Sequence, residues 1–165
     1  MTILHYACLF GTVNQVKGLL TNENIDSFDE DDQTPLVCAT INGMFDIIKE
    51  LVKSGADVNK QCSSGYTALH HASYSLMPGR LEIMEYLIKN GADVNVQNND
   101  GDTPLHMSIA YRHPRRVSLL LNNGADPYIA NNKGQTAFNL SSNNGEIKDI
   151  LDAYCAPDIK EPDIK

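Results

Sequence analysis

The chain has 165 residues, a net charge of −8 and a pI near 4.9. That acidity excludes a reader of nucleic acid, whose phosphates demand a basic footprint, and it suits a basic protein segment as partner. Hydrophobic residues make up 42 % and there is no tryptophan, so a core must be built from Leu, Ile, Val, Ala and Met; no run is long enough to span a membrane.

The apolar start, Met1 to Phe10, lacks the basic residues of a secretion signal and reads as a first helix capped by Thr2. Gly11 is expected to make a turn, and Val13, Val16, Leu19 and Leu20 supply a second helix at three-and-four spacing. Asp29-Glu30-Asp31-Asp32 then forms a solvated tip. Thr34-Pro35-Leu36 caps and opens the next helix, with proline at the first helical position where its missing N–H costs nothing. Phe45, Ile47, Ile48, Leu51 and Val52 form the following stripe, and Gly55 is expected to end it in the left-handed conformation.

Thr67-Ala68-Leu69-His70 opens a third pair, interrupted by an insertion over residues 73–80 whose Pro78-Gly79 marks a turn. In the fourth pair, after Thr103-Pro104-Leu105-His106, Arg112 stands where a turn glycine is expected, at a strain of about 1 kcal/mol if φ is positive. Arg112, His113, Arg115 and Arg116 read as a basic cluster, and Pro114 starts the next helix. Thr136-Ala137-Phe138-Asn139 opens a fifth pair, with Ser141, Ser142, Asn143, Asn144 and Glu146 as a polar outer face. Residues 156–165, with Pro-Asp-Ile-Lys twice, form an extended tail.

These units share a beat. The threonines lie 32, 33, 36 and 33 residues apart, and Gly-Ala-Asp recurs at Gly55, Gly91 and Gly124. A period near 33 carrying T-P-L-H resembles the ankyrin-repeat family over residues 2 to about 153. The resemblance implies an all-α solenoid of helix-turn-helix units joined by β-hairpin or turn fingers. It gives one domain, 1–155, with repeats at about 1–32, 33–64, 65–100, 101–133 and 134–155. The fifth serves as a terminal cap.

Residue patterns for chemistry are missing. There is no H-E-x-x-H, no C-x-x-C and no G-x-S-x-G. Carboxylates at a solvated tip keep ordinary acidity and are poor general acids. Asn139-Leu140-Ser141 matches a glycosylation sequon that a cytoplasmic chain would not expose to the machinery. Cys8, Cys38, Cys62 and Cys155 read as reduced and structural. No catalytic residue, metal or cofactor is expected. In the family, histidines placed like His5, His70 and His106 resemble backbone linkers between units.

The family's groove between first helices and fingers implies a partner protein, here with a basic segment steered by the acidic tip. Mapped onto this chain, the groove candidates are Tyr6, Phe10, Ile41, His71, Tyr74, Met107 and Tyr111 from helices. From the fingers they are Phe28, Asp31, Ser64, Tyr66, Asn99, Asp102 and Lys133. Tyr66, His71, Tyr74, Met107, Tyr111, Asp31 and Asp102 form the expected binding set, since central tyrosines favour hot spots. Asn59 and Asn95, each eight residues after a leucine, match the family's asparaginyl-hydroxylase pattern. The expected chain is a monomer that scaffolds a partner in the cytoplasm, with the nucleus or a host-cell cytosol as the alternative places. Narrower versions are an inhibitor-κB-like or effector-type mask for a host factor, or the targeting module of a larger enzyme, channel or adaptor.

Overall fold

The computed structural model describes residues 1–155, so the reading of 156–165 as an extended tail lies outside the described residues. Five helix pairs follow one another: α1 (Ile3–Phe10) and α2 (Val13–Leu19), α3 (Pro35–Asn42) and α4 (Phe45–Lys53), α5 (Ala68–Tyr74) and α6 (Arg80–Lys89), α7 (Pro104–Ala110) and α8 (Pro114–Asn122), α9 (Ala137–Ser141) and α10 (Gly145–Cys155). First helices pack on neighbouring first helices along α1, α3, α5, α7 and α9. One continuous core runs through the stack from Leu4 to Leu151.

Local chemistry explains the boundaries. Each first helix begins at the motif threonine in an extended conformation, and the hydroxyls of Thr2, Thr34, Thr67 and Thr103 accept the N–H three residues on. Three second helices end alike. At Gly55 (φ 96°), Gly91 (φ 91°) and Gly124 (φ 86°) the next residue's N–H turns back to Leu51, Leu87 or Leu120. Thr12 and Gln15 form a capping box at α2 that the motif reading does not anticipate.

The fingers are turns; among the described residues there is no β-strand. Each tip closes with two backbone bonds, too few for a ladder: Asn98 N–H to Asp102 C=O (3.0 Å) and Gly101 N–H to Asn98 C=O (2.9 Å), for example. Side-chain amides tie finger to finger instead. Asn59 donates to Gly91 C=O (2.9 Å) and accepts from Asp93 N–H (2.8 Å); Asn95 repeats this with Gly124 (3.0 Å) and Asp126 (2.8 Å).

Gly11 makes the turn between α1 and α2 in an extended conformation (φ −93°), and its need for glycine is space: a Cβ there would lie 2.6 Å from Ala7 C=O. Three expectations change. The insertion loop is shorter than 73–80, because Ser73 and Tyr74 finish α5 and Arg80 starts α6. Ser141 is fully buried, its hydroxyl bonded to Phe138 C=O, and so is not part of a polar outer face. Arg116 is buried rather than part of an open basic cluster. It stands eight residues before Gly124, the slot that buried Ile47 and Ile83 take before Gly55 and Gly91. Its Nη1 instead donates to Ser73 C=O at 3.1 Å. Arg112 does adopt positive φ (57°), in the place of Gly43 (70°).

Candidate partner-binding site

The sequence places three linking histidines where they can brace the stack. Nε2 of His70 donates to Asp102 C=O (3.1 Å) and Nε2 of His106 to Gln135 C=O (3.0 Å). His5 Nε2 reaches both Ser27 C=O (3.0 Å) and Gln33 C=O (2.9 Å). Backbone N–H of Thr67 and Thr103 donates to Nδ1 of His70 and His106, so Nε2 must carry the proton. Burial pushes the His70 pKa down to about 4, which suits a neutral linker. The second repeat carries Val37 at this position.

Val37 lines a hollow of about 670 Å³ between the fingers and the first helices. One wall is a row of rings. Tyr66 precedes α5, His71 and Tyr74 lie on it, and Tyr111 closes α7. Ring centroids step from Tyr66 to His71 (5.7 Å), His71 to Tyr74 (5.5 Å) and Tyr74 to Tyr111 (5.4 Å). The Tyr74 hydroxyl lies 2.7 Å from His71 Nδ1. Burial raises both the Tyr66 and Tyr74 phenol pKa values, keeping those hydroxyls neutral, and lowers His71 to about 4. Met107, buried on α7, also lines the hollow.

The facing wall is acidic and polar: Glu30, Asp31, Asp32 and Gln33 from the first finger, Cys62, Ser63 and Ser64 from the second. Asp32 holds a left-handed φ of 59° where the later fingers have Gly65, Gly101 and Gly134. Its carboxylate accepts the Ser63 N–H, and hydrogen bonding to Ser63 holds its pKa below the usual range.

Six of the seven residues expected to bind therefore share one hollow: Asp31, Tyr66, His71, Tyr74, Met107 and Tyr111. Asp102 does not line it. Its carboxylate accepts Asn131 Nδ2 (2.7 Å) and its carbonyl takes the His70 bond, which makes it a brace between fingers. Asn99 likewise donates to Ser63 C=O (2.7 Å), and Ile41 C=O accepts from Arg80. Tyr6 and Phe10 meet as tilted rings, centroids 5.2 Å apart, in a separate exposed patch with Ile3, Phe28 lies beneath Lys60, and Lys133 stays exposed on its finger. Val37, Gln33, Cys62 and Ser63 enter the hollow without a motif to announce them. Aligning the finger tips, with Asp32 against Gly65, is the signal that would have found Ser63.

Among the described residues, no group of three or more His, Cys, Asp or Glu side chains could hold a metal ion, and no helix is long and apolar enough to cross a membrane. Cys8 and Cys38 are unpaired and buried, and desolvation pushes both thiols up to about 12. Such thiols are not nucleophiles at neutral pH.

Known proteins match on the repeats. The Notch-regulated ankyrin repeat-containing protein of Xenopus tropicalis is 36 % identical over 69 residues, 39 % of this chain and 60 % of that protein. The chain thus spans about three-fifths of that relative. Palmitoyltransferase AKR1 of Kluyveromyces lactis is 39 % identical over 74 residues, which is 44 % of this chain and 10 % of the transferase. Alpha-latrotoxin-Lh1a of Latrodectus hasselti is 35 % identical over 69 residues, 42 % of this chain and 5 % of the toxin. The family model for ankyrin repeats in three copies matches residues 4–98 and 79–161. With the capped helix pairs, the linking histidines and nearly the whole length matched, the chain belongs to the ankyrin-repeat family, whose repeats are protein–protein interaction modules.

Proposed function

We propose that this chain is a non-enzymatic scaffold that takes a basic segment of a partner protein into the hollow between its fingers and first helices. The observation that carries this reading is the joining of a ring wall, Tyr66 to Tyr111, to the carboxylates of Glu30, Asp31 and Asp32 in one cavity. Neutral aromatic faces attract Lys or Arg side chains, and the acidic tip speeds the encounter. Narrower versions of the proposal are an inhibitor-κB-like or effector-type mask for a host factor, or the targeting module of a larger enzyme, channel or adaptor. A cytoplasmic monomer remains the proposed state.

A peptide-display selection tests the reading. Wild-type chain should enrich peptides rich in Lys and Arg, and a folded Tyr66→Ala/Tyr111→Ala variant should lose them. Enrichment of neutral or acidic peptides, or equal binding by the variant, would contradict it. Asn59 and Asn95 are proposed hydroxylation sites, because adding oxygen at Cβ leaves their amide bonds intact. Intact mass after incubation with an asparaginyl hydroxylase should rise by one oxygen or more, and an unchanged mass ends that proposal.

A further inference from the structure

All four arginines of the chain, Arg80, Arg112, Arg115 and Arg116, gather at one edge of the stack, although the chain carries net charge −8. Three of them line a notch of about 410 Å³ between the insertion loop and the turn before α8. Among the described residues, no acidic side chain lines this notch. Arg80 is 1 % exposed and Arg116 9 %. Their bonds go to neutral oxygens: Arg80 to Ser75 Oγ and Ile41 C=O, Arg116 to Ser73 C=O. Among the described residues, every ion pair uses a lysine or the terminal amine, and none uses an arginine.

Two helices also start here. α6 has 10 residues and α8 has 9, and neither has a side-chain cap on its N-terminus. In α8 Pro114 has no N–H and the Arg116 N–H already donates to His113 C=O (3.0 Å), so Arg115 N–H is its remaining first-turn donor; with the first-turn N–H groups of α6 and the positive dipole ends it adds to the guanidinium charge. His113 Nε2 is buried at the notch without a hydrogen-bond partner. Arg115 is exposed and lines the notch, and among the described residues no side-chain bond holds it. Burial first, and then the charge of Arg80, depresses the Arg116 pKa; burial first, and then the charge of Arg116, lowers that of His113. Among the described residues the one acid in the first turn of either helix is Glu82 on α6, which does not line the notch, so the lining itself carries only positive side-chain charge. Planar guanidinium donors match phosphate oxygens better than lysine does.

We infer that this notch binds a phosphoryl group, held by the Arg115 and Arg116 side chains, the Arg115 N–H and the first-turn N–H groups of α6. The cavity leaves room for the group that carries the phosphate. The inference stands apart from the proposed hollow, which lies at the fingers.

The test is a titration of the full chain with inorganic phosphate at constant ionic strength, followed by backbone amide NMR. Saturable shifts at Arg80, Leu81, Arg115 and Arg116 are expected. Arg115→Gln should weaken binding about tenfold, the loss of one charge-assisted contact, with unchanged thermal unfolding. Shifts that chloride reproduces, or equal affinity in Arg115→Gln, would overturn the site. Phosphatidylcholine vesicles containing phosphatidylinositol phosphate separate the sources of the phosphoryl group. Co-sedimentation that inorganic phosphate competes away, and that Arg115→Gln loses, would place it on a lipid headgroup. Co-sedimentation lost only on changing the exposed Leu76 and Met77, with no response to phosphate, would overturn the inference in favour of an apolar membrane contact.

Discussion

Arg112 holds a left-handed conformation (φ 57°) that Gly43 holds at no cost at the matching turn two repeats earlier in the stack. For an L-residue with a side chain the penalty is about 1–2 kcal/mol, offset in part by the greater freedom of glycine in the unfolded chain. Arg112→Gly is therefore expected to stabilise the fold by about 0.5–1 kcal/mol in denaturant unfolding; a loss of stability would show that the arginine side chain contributes more than its backbone costs. His70 offers a second residue-scale test. Its folded pKa is lowered to about 4 from 6.5, chiefly by burial, so the unfolded chain binds the proton more readily. Stability is then complete above about 6.5 and falls as pH drops toward 4, by on the order of 3 kcal/mol. Unfolding midpoints of wild type at pH 7 and pH 4.5 should differ more than those of His70→Gln, and equal drops would remove His70 as the cause.

At the scale of elements, the acidic finger is separable into parts. Asp32 is structural as well as charged, since it accepts the Ser63 N–H, whereas Glu30 and Asp31 are exposed. Glu30→Gln/Asp31→Asn should leave the fold intact, slow association with a basic partner segment and flatten its dependence on salt. Stopped-flow rates unchanged in both respects would remove steering from the account. Helix starts and ends were legible in the sequence because each depends on residues within one turn: a threonine cap, a proline, a left-handed glycine. Arg116 was not. Its fate rests on Ser73 C=O, 43 residues away, left open where the insertion loop deprives α5 of a glycine end. The hollow was legible in its aromatic residues, which the repeat register places on first helices. It was not legible in Val37 or Ser63, whose exposure depends on how neighbouring fingers align.

The whole molecule is a stack in which each unit meets its neighbours, so stability is roughly a sum of unit and interface contributions. α9 has only five residues, and α10 exposes most of its outer face. Hydrogen exchange should be fastest in α9 and α10 and slowest from α3 to α7, the segment that carries most of the ring wall; greatest protection in α10 would contradict its role as a cap. The central claim is that this middle segment exists to hold a partner. Affinity capture with wild type beside the Tyr66→Ala/Tyr111→Ala variant, both shown to be folded, tests it most directly. The account predicts a protein with a basic segment that wild type retains and the variant loses. Retention of the same protein by both baits would contradict it.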